Sequence, residues 1–350
     1  MSKIGIITDT HFGEKIQNHK RFYELYGRFL NNIFFPTLEK EGVKHLLHGG
    51  DLFHNRHSVD IRTWKWTQDH FLDRLERLGI SMYGIVGNHD TYYKSSSTVN
   101  SPREFLRHYA NCHFVDEATT LTFDNIKFLL LPWIHNYNKN DMLKAIQDSD
   151  ASYVLSHLEL AGFQMHPGVY SEQGMGIENY LEKFKEVWSG HYHTQSQKGN
   201  IRYLGAPIEF NWNDYNDMKG FHIFDTQSER LTFYRNPESL HYKIYLGQDS
   251  ESLRAEDYKD KIVRLIITDK IPRAKIDATV SALNEYCWDL KIIDHNIEGI
   301  DHNLQDEQFG EGKSTLQIID ETVRETETEL DQNKLAHLIK TLYMEAEAIR

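Results

Sequence analysis

Along the first 150 residues, short apolar runs alternate with stretches whose apolar residues recur at helical spacing. Residues 3–8 read as a buried strand, and residues 21–40 as a helix with Pro36 as a kink or end. Residues 44–49 give a second strand. Ile61, Trp64, Phe71, Leu72, Leu75 and Leu78 then mark a second helix that ends at Gly79. A strand over 80–86, a helical stretch near 102–109, strands over 119–123 and 126–131 and a helix near 140–147 follow. After them the chain is mostly extended, with strands predicted at 152–156, 185–189, 201–204, 220–225 and 231–235. Alternating β and α followed by mostly β predicts an α/β sandwich over residues 1–240, two sheets with helices outside.

Beyond residue 240 the pattern changes. Strand candidates 242–246, 261–268 and 289–294 surround one helix, 273–286, and residues 241–298 read as a separate small α/β unit. Gly299, Gly310 and Gly312 among polar residues mark a linker. Residues 299–350 then end in a helical tail, where Leu335, Leu338, Ile339, Leu342, Ala346 and Ile349 form an apolar stripe. Such a stripe either packs on its own domain or docks in a partner's groove.

Composition narrows the class. The 350 residues are enough for about two domains, and 39 % hydrophobic with 12 % aromatic content fits a globular protein. Cys112 and Cys287 show no pairing pattern, so reduced thiols in a cytosolic compartment are expected. The first strand follows Met1 directly, which leaves no room for a signal peptide. The run Phe128–Leu131 is cut by Pro132 and is far too short to span a bilayer, so no membrane partner is expected.

The candidate chemistry lies at the ends of the predicted strands. Asp9-Thr10-His11, Gly49-Gly50-Asp51, Gly87-Asn88-His89-Asp90, His157 and Gly190-His191-Tyr192-His193 each sit just after an apolar run. A sheet collects such strand ends along one edge, in the crevice where ligands bind. Singly, each cluster is ordinary turn chemistry, and the chain has 20 histidines. Jointly they supply two carboxylates, one carboxamide and four or five imidazoles, ligands suited to divalent metals of intermediate hardness. The set predicts a two-metal phosphoesterase centre.

In that order, Asp-x-His, Gly-Gly-Asp-Leu-Phe-His, Gly-Asn-His-Asp, a single His and Gly-His-x-His resemble the calcineurin-like metallophosphoesterases. The likeness is closest to their SbcD-type DNA nuclease branch, in the compact form of the recombination endonuclease subunit of T-even-like bacteriophages. Protein phosphatases of the superfamily carry Gly-Asp-x-x-Asp-Arg-Gly and Gly-Asn-His-Glu, where this chain reads Gly50-Asp51-Leu52-Phe53-His54-Asn55-Arg56 and Gly87-Asn88-His89-Asp90. Ser156 stands before His157 where many relatives have Gly.

The resemblance implies a two-sheet metallophosphoesterase sandwich with a small capping domain that helps to position DNA. It implies two Mn²⁺, with Fe or Zn as alternatives, the first ion on Asp9, His11 and His193 and the second on Asn88, His157 and His191. Asp51 would bridge the two. Water bound to both ions falls from a pKa of about 16 towards about 7, which makes hydroxide available. His89 would stabilise charge or protonate the leaving 3′-oxygen, with His54 in support and Asp90 either orienting His89 or capping a turn. The implied activity is metal-dependent DNA exo- and endonuclease action in recombination, repair and DNA-end processing. It would run in the cytoplasm (the host's, for a phage protein), as a homodimer with an SbcC-type coiled-coil ABC ATPase.

The net charge of −13 argues against a nucleic-acid substrate. Residues 306–350, however, hold eleven acidic and five basic side chains, which accounts for six of those negative charges. Around the motifs, Lys15, His19, Lys20, Arg21, Arg56, His57 and Lys94 form a locally basic rim suited to backbone phosphates. Two other classes stay open: a metallophosphoesterase for a non-DNA phosphoester, and a non-catalytic scaffold for the ATPase.

Overall fold

The computed structural model describes residues 2–14, 20–247 and 253–294 and, beyond them, Leu335 alone. Its first sheet has six strands in the order Arg230–Arg235, Gly220–Asp225, Lys3–Ile7, His45–His48, Ser81–Ile85 and Cys112–Val115. The last four run parallel, and Gly220–Asp225 pairs antiparallel with Lys3–Ile7, Lys3 facing Asp225. The second sheet is also six-stranded, in the order Ser196–Lys198, Ile201–Tyr203, Glu186–Gly190, Tyr153–His157, Ile126–Leu131 and Thr119–Phe123.

Side-chain alternation explains why the two sheets stack, because successive residues of a strand point to opposite faces. Ile4, Ile6, Leu47 and Ile85 of the first sheet meet Phe128, Leu130, Leu155 and Trp188 of the second in one buried layer. Their neighbours Ile7, Leu46 and Met82 face outward onto helices carrying Phe22, Tyr26, Phe29, Phe71 and Leu75. On the far side, Leu129, Leu131, Val154 and Val187 face Met142 and Ile146 of the helix Lys139–Asp148. The result is the two-sheet sandwich flanked by helices.

Pro36 neither ends nor breaks the first helix. Helix Lys20–Phe29 widens into a π-turn at Leu30–Phe34 and resumes as Phe35–Lys40. A Pro within a helix lacks an N–H and crowds the carbonyl four residues back, and the wider turn just before it relieves both. The second predicted helix repeats the device, with a π-turn at Gln68–Leu72 between Ile61–Thr67 and Asp73–Arg77.

The strands His241–Leu246, Ile262–Ile267 and Asp289–Asp294 form a parallel sheet covered by the helix Arg273–Tyr286, with its own apolar core around Ile244, Val263, Leu265 and Leu283. Arg21 ties this sheet's surroundings to the first helix, at 3.4 Å from Asp260 and donating to the Cys287 carbonyl. The linker glycines, and the tail stripe apart from Leu335, lie outside the described residues, as do Lys15 and His19. No helix among the described residues is long and apolar enough to cross a membrane.

Candidate metal centre

Five of the strands described above end at one edge of the sandwich, and each hands over to a loop that carries the predicted ligands. The first two loops are zipped together: Asp9 N–H donates to the Gly50 carbonyl, and His11 N–H to that of Asp51. Asp9, His11, Asp51 and His191 all take positive φ (52°, 42°, 56° and 89°), the left-handed region that non-glycine residues seldom adopt. Such strain persists where the surroundings over-determine it, and it clusters at functional sites.

Glycine makes the convergence sterically feasible at two points. A Cβ on Gly87 would lie 2.2 Å from Asp51 Oδ1, and one on Gly190 would lie 2.1 Å from Thr8 Oγ1 and 2.8 Å from Asp9 Oδ2. Larger residues at either position would push the carboxylates off their marks.

The predicted ligands meet. Asp9, His11 and His193 present donor atoms within 4.8 Å of one another, as do Asp9, Asp51 and His157. His11 Nε2 is 3.0 Å from His193 Nε2 and 3.6 Å from Asp51 Oδ2, and His157 Nε2 is 3.3 Å from the same Asp51 oxygen. Asn88 Oδ1 lies 2.8 Å from His157 Nε2 and 3.0 Å from His191 Nδ1. Asp51 thus stands between two groups, one of Asp9, His11 and His193 and the other of Asn88, His157 and His191. Asp9, His11, Asp51 and His157 form a buried floor, while Asn88, His191 and His193 are half-exposed at the mouth.

The electrostatics call for cations. Burial works against the charge on Asp51, yet His157, His89 and His11 hold its carboxyl well below the usual range. Burial raises the Asp9 carboxyl and drives the His11 imidazole far down. His157 is also buried, but Asp51 and Asp9 lift it to about 9. Its Nδ1 faces the Gly49 carbonyl at 2.9 Å, so the ring is held with Nε2 towards Asp51 and Asn88. A site that recruits a proton onto a buried imidazole is one where a metal ion replaces that proton readily. With mixed N and O donors and no thiolate, the residues fit divalent ions of intermediate hardness.

His89 sits beside this set. Its backbone N–H donates to Asp51 Oδ1, and its Nδ1 lies 2.6 Å from the His54 carbonyl. The rings of His54 and His89 stack edgewise on His11, at 5.3 and 4.9 Å, and the three make a third group with metal-binding spacing. Asp90, expected either to orient His89 or to cap a turn, braces two loops. Its fully buried carboxylate accepts from the backbone N–H groups of Asp51, Leu52, Phe53 and Gly87, stapling the second motif to the third. Burial and the nearby Asp51 push that carboxyl up to about 7.

The rim residues divide. Arg56 donates to Thr91 Oγ1 and lies over the Trp133 ring at 5.6 Å, and Lys94 lines a cleft with Trp133. Lys20 is 89 % exposed and 3.5 Å from Glu24. Arg21 is 3.4 Å from Asp260 and donates to the Cys287 carbonyl. Ser156 is explained by packing, since its hydroxyl donates to the Trp188 carbonyl of the adjoining strand.

Several supporting residues have no signal in the sequence. Thr8 Oγ1 donates to Asp9 Oδ2, and His48, fully buried and pushed down to about 3, accepts from Gly50 N–H and meets Thr10 Oγ1 at 3.1 Å. Thr10 Oγ1 donates to the Leu52 carbonyl, so the proton between it and His48 belongs to His48 Nε2. Lys219, 3 % exposed, donates to the His193 carbonyl and is held by Asp214 and Asp217 at 2.6 and 2.8 Å. Phe210 packs against the rings of both His11 and His193.

The sequence family described as calcineurin-like phosphoesterase matches residues 2–195. Exonuclease subunit 1 of Enterobacteria phage T4 is 31 % identical over 314 residues, which is 88 % of this chain and 89 % of that protein. A protein of Invertebrate iridescent virus 3 named as a phosphoesterase is 27 % identical over 58 % of this chain and 56 % of its own length. Among solved structures, an archaeal phosphodiesterase aligns with a TM-score of 0.34 and 15 % identity, covering 67 % of this chain and 99 % of that one.

Proposed function

Because the chain belongs to the calcineurin-like phosphoesterase family, a family of metal-dependent hydrolases, we propose that it is a DNA nuclease that hydrolyses phosphodiester bonds at a two-metal centre. The observation that carries this reading is Asp51, one of whose carboxylate oxygens lies 3.6 Å from His11 Nε2 and 3.3 Å from His157 Nε2, between the two groups. Asp9, His11 and His193 would hold the first ion with Asp51, and Asn88, His157 and His191 the second. Bound there, divalent ions, Mn²⁺ in our reading, supply an activated water and offset the phosphate's charge. The DNA substrate is brought over from the T4 relative, named an exonuclease subunit, whose identity extends along most of both chains.

The remaining chemistry falls to the protein's side chains. His89, with Nδ1–H held by the His54 carbonyl, would act as the imidazolium, handing its Nε2 proton to the leaving 3′-oxygen and being left as the neutral ring. His54 holds that ring, and Arg56, Lys94 and Lys20 receive backbone phosphates. We assign the protein to recombination, repair and DNA-end processing in the host cytoplasm, as a homodimer beside a coiled-coil ABC ATPase. The stripe Leu335, Leu338, Ile339, Leu342 and Ile349 is the proposed grip on that partner. Retention of every ligand type argues against a catalytically dead scaffold.

The test is metal analysis followed by cleavage of linear and hairpin duplex DNA in Mn²⁺, alongside a phosphomonoester. Cleavage of DNA well above the monoester is expected, whereas the reverse order would favour a phosphatase for a non-DNA substrate. Asp51→Asn should lose metal from both sites and abolish cleavage while the fold persists. Normal metal content with retained cleavage in that variant would refute the shared-ligand assignment.

A further inference from the structure

A line of rings and cations leaves the metal centre, and the ligand set does not account for it. Asn88 accepts from Thr91 Oγ1 through its backbone carbonyl, and Arg56 donates to that same hydroxyl. Arg56 also covers the Trp133 ring. In one direction the line continues through His57, next in sequence, to Tyr92, with ring centroids 4.9 Å apart. In the other it runs from Trp133 to His135 at 5.6 Å and on to Tyr137 at 6.4 Å. Tyr92, on the hairpin strand Thr91–Tyr93, is 42 % exposed and Tyr137, in a turn, 80 %, large apolar surfaces left open to solvent.

Trp133, Lys94 and Lys139 share a cleft of about 440 Å³, in which Glu159 is the acidic lining residue. With Arg56 beside it, the three cations Lys94, Lys139 and Arg56 outnumber the two carboxylates Glu159 and, near Tyr92, Glu104, in a protein whose overall charge is −13. Local charge therefore opposes global charge at this place. Phosphates would explain the cations, but they do not explain the rings. A duplex offers only base edges and backbone, whereas unpaired bases offer π-faces that stack on aromatic side chains whatever the sequence.

We infer that this line of rings and cations is a track for a single, unpaired DNA strand, holding bases by stacking while Arg56 and Lys94 hold the adjoining phosphates. The inference rests on the DNA-nuclease reading and adds to it the surface that would hold an unpaired strand beside the metal centre. The track is anchored to the Asn88 loop through Thr91, so a strand lying on it runs into the site.

The test uses the full, metal-loaded chain and two cleavage-resistant phosphorothioate twelve-mers of equal charge, one of thymidines and one abasic. Fluorescence anisotropy should show the thymidine strand bound at least about tenfold tighter than the abasic one. Trp133→Ala and Tyr92→Ala should each weaken thymidine binding by about 5- to 100-fold, leave abasic binding unchanged, and recover with Phe at the same position. Hydrolysis of bis-p-nitrophenyl phosphate should be unchanged in these variants, which shows that the centre is intact. Equal binding of the two strands by the wild type, or full thymidine affinity in both variants, would overturn the track. So would variants that only dissociate a dimer in sedimentation, since the rings would then face a second copy of the chain. Failure of the parent reading looks different: the wild-type chain would cleave no DNA at all.

Discussion

Asn88 and His89 are neighbours in sequence, yet their side chains serve different parts of the site. Asn88 Oδ1 points at two imidazoles, whereas the His89 ring turns away to the His54 carbonyl. His89→Ala should therefore keep its metal and its DNA affinity while losing cleavage by roughly 10²- to 10⁴-fold. Metal loss measured in that variant would make His89 a ligand, grouped with His11 and His54. The residues that converge on this edge were legible in the sequence because their chemistry is carried by residue type at strand ends. Thr8, His48 and Lys219 were not, because an ordinary Thr, His or Lys acquires its role only from the partner it meets. Lys219 shows this most clearly: a lysine is almost never fully buried unless paired, and its pairs are made only in the fold.

At the level of elements, the loops matter more than the strands. Asp90 binds four N–H groups on two loops whose sequence positions differ by more than thirty residues. Asp90→Ala strips all four of their acceptor and should cost at least about 3 kcal/mol, read by chemical denaturation of the metal-loaded protein. A loss below about 1 kcal/mol would mean that the loops hold themselves. Ten of the twelve strands of the sandwich were readable to within about a residue, because strands buried on both faces show as continuous apolar runs, whereas the edge strands Cys112–Val115 and Ser196–Lys198 were missed. The short hairpins Thr91–Tyr93 with Ser96–Asn100 and Gln164–His166 with Val169–Tyr170 were missed, since their residues are polar or half-exposed and carry no such period. Of the two readings of Pro36, a helix end is excluded, and the π-turn that accommodates the proline has no signature in the residues themselves.

For the molecule as a whole, the charge map separates the phosphoesterase domain from the tail. Removing residues 306–350 takes away six of the thirteen net negative charges together with the apolar stripe. The shortened chain should stay folded, load metal and cleave DNA, but lose most of its affinity for the ATPase, measured by pull-down beside thermal melting. A destabilised truncation that still captured the ATPase would instead make the stripe part of the protein's own core. The first sheet has one further consequence, in the timing of synthesis. The strand Lys3–Ile7 takes Gly220–Asp225 as its antiparallel neighbour, and the proposed ligands run from Asp9 to His193. At about 5–20 residues per second on the ribosome, roughly 10–40 s separate the emergence of those two ligands. Throughout that interval the nascent chain shows the cell a partial chelator with one open sheet edge, so the centre can be charged with metal only once translation of the sandwich is nearly complete.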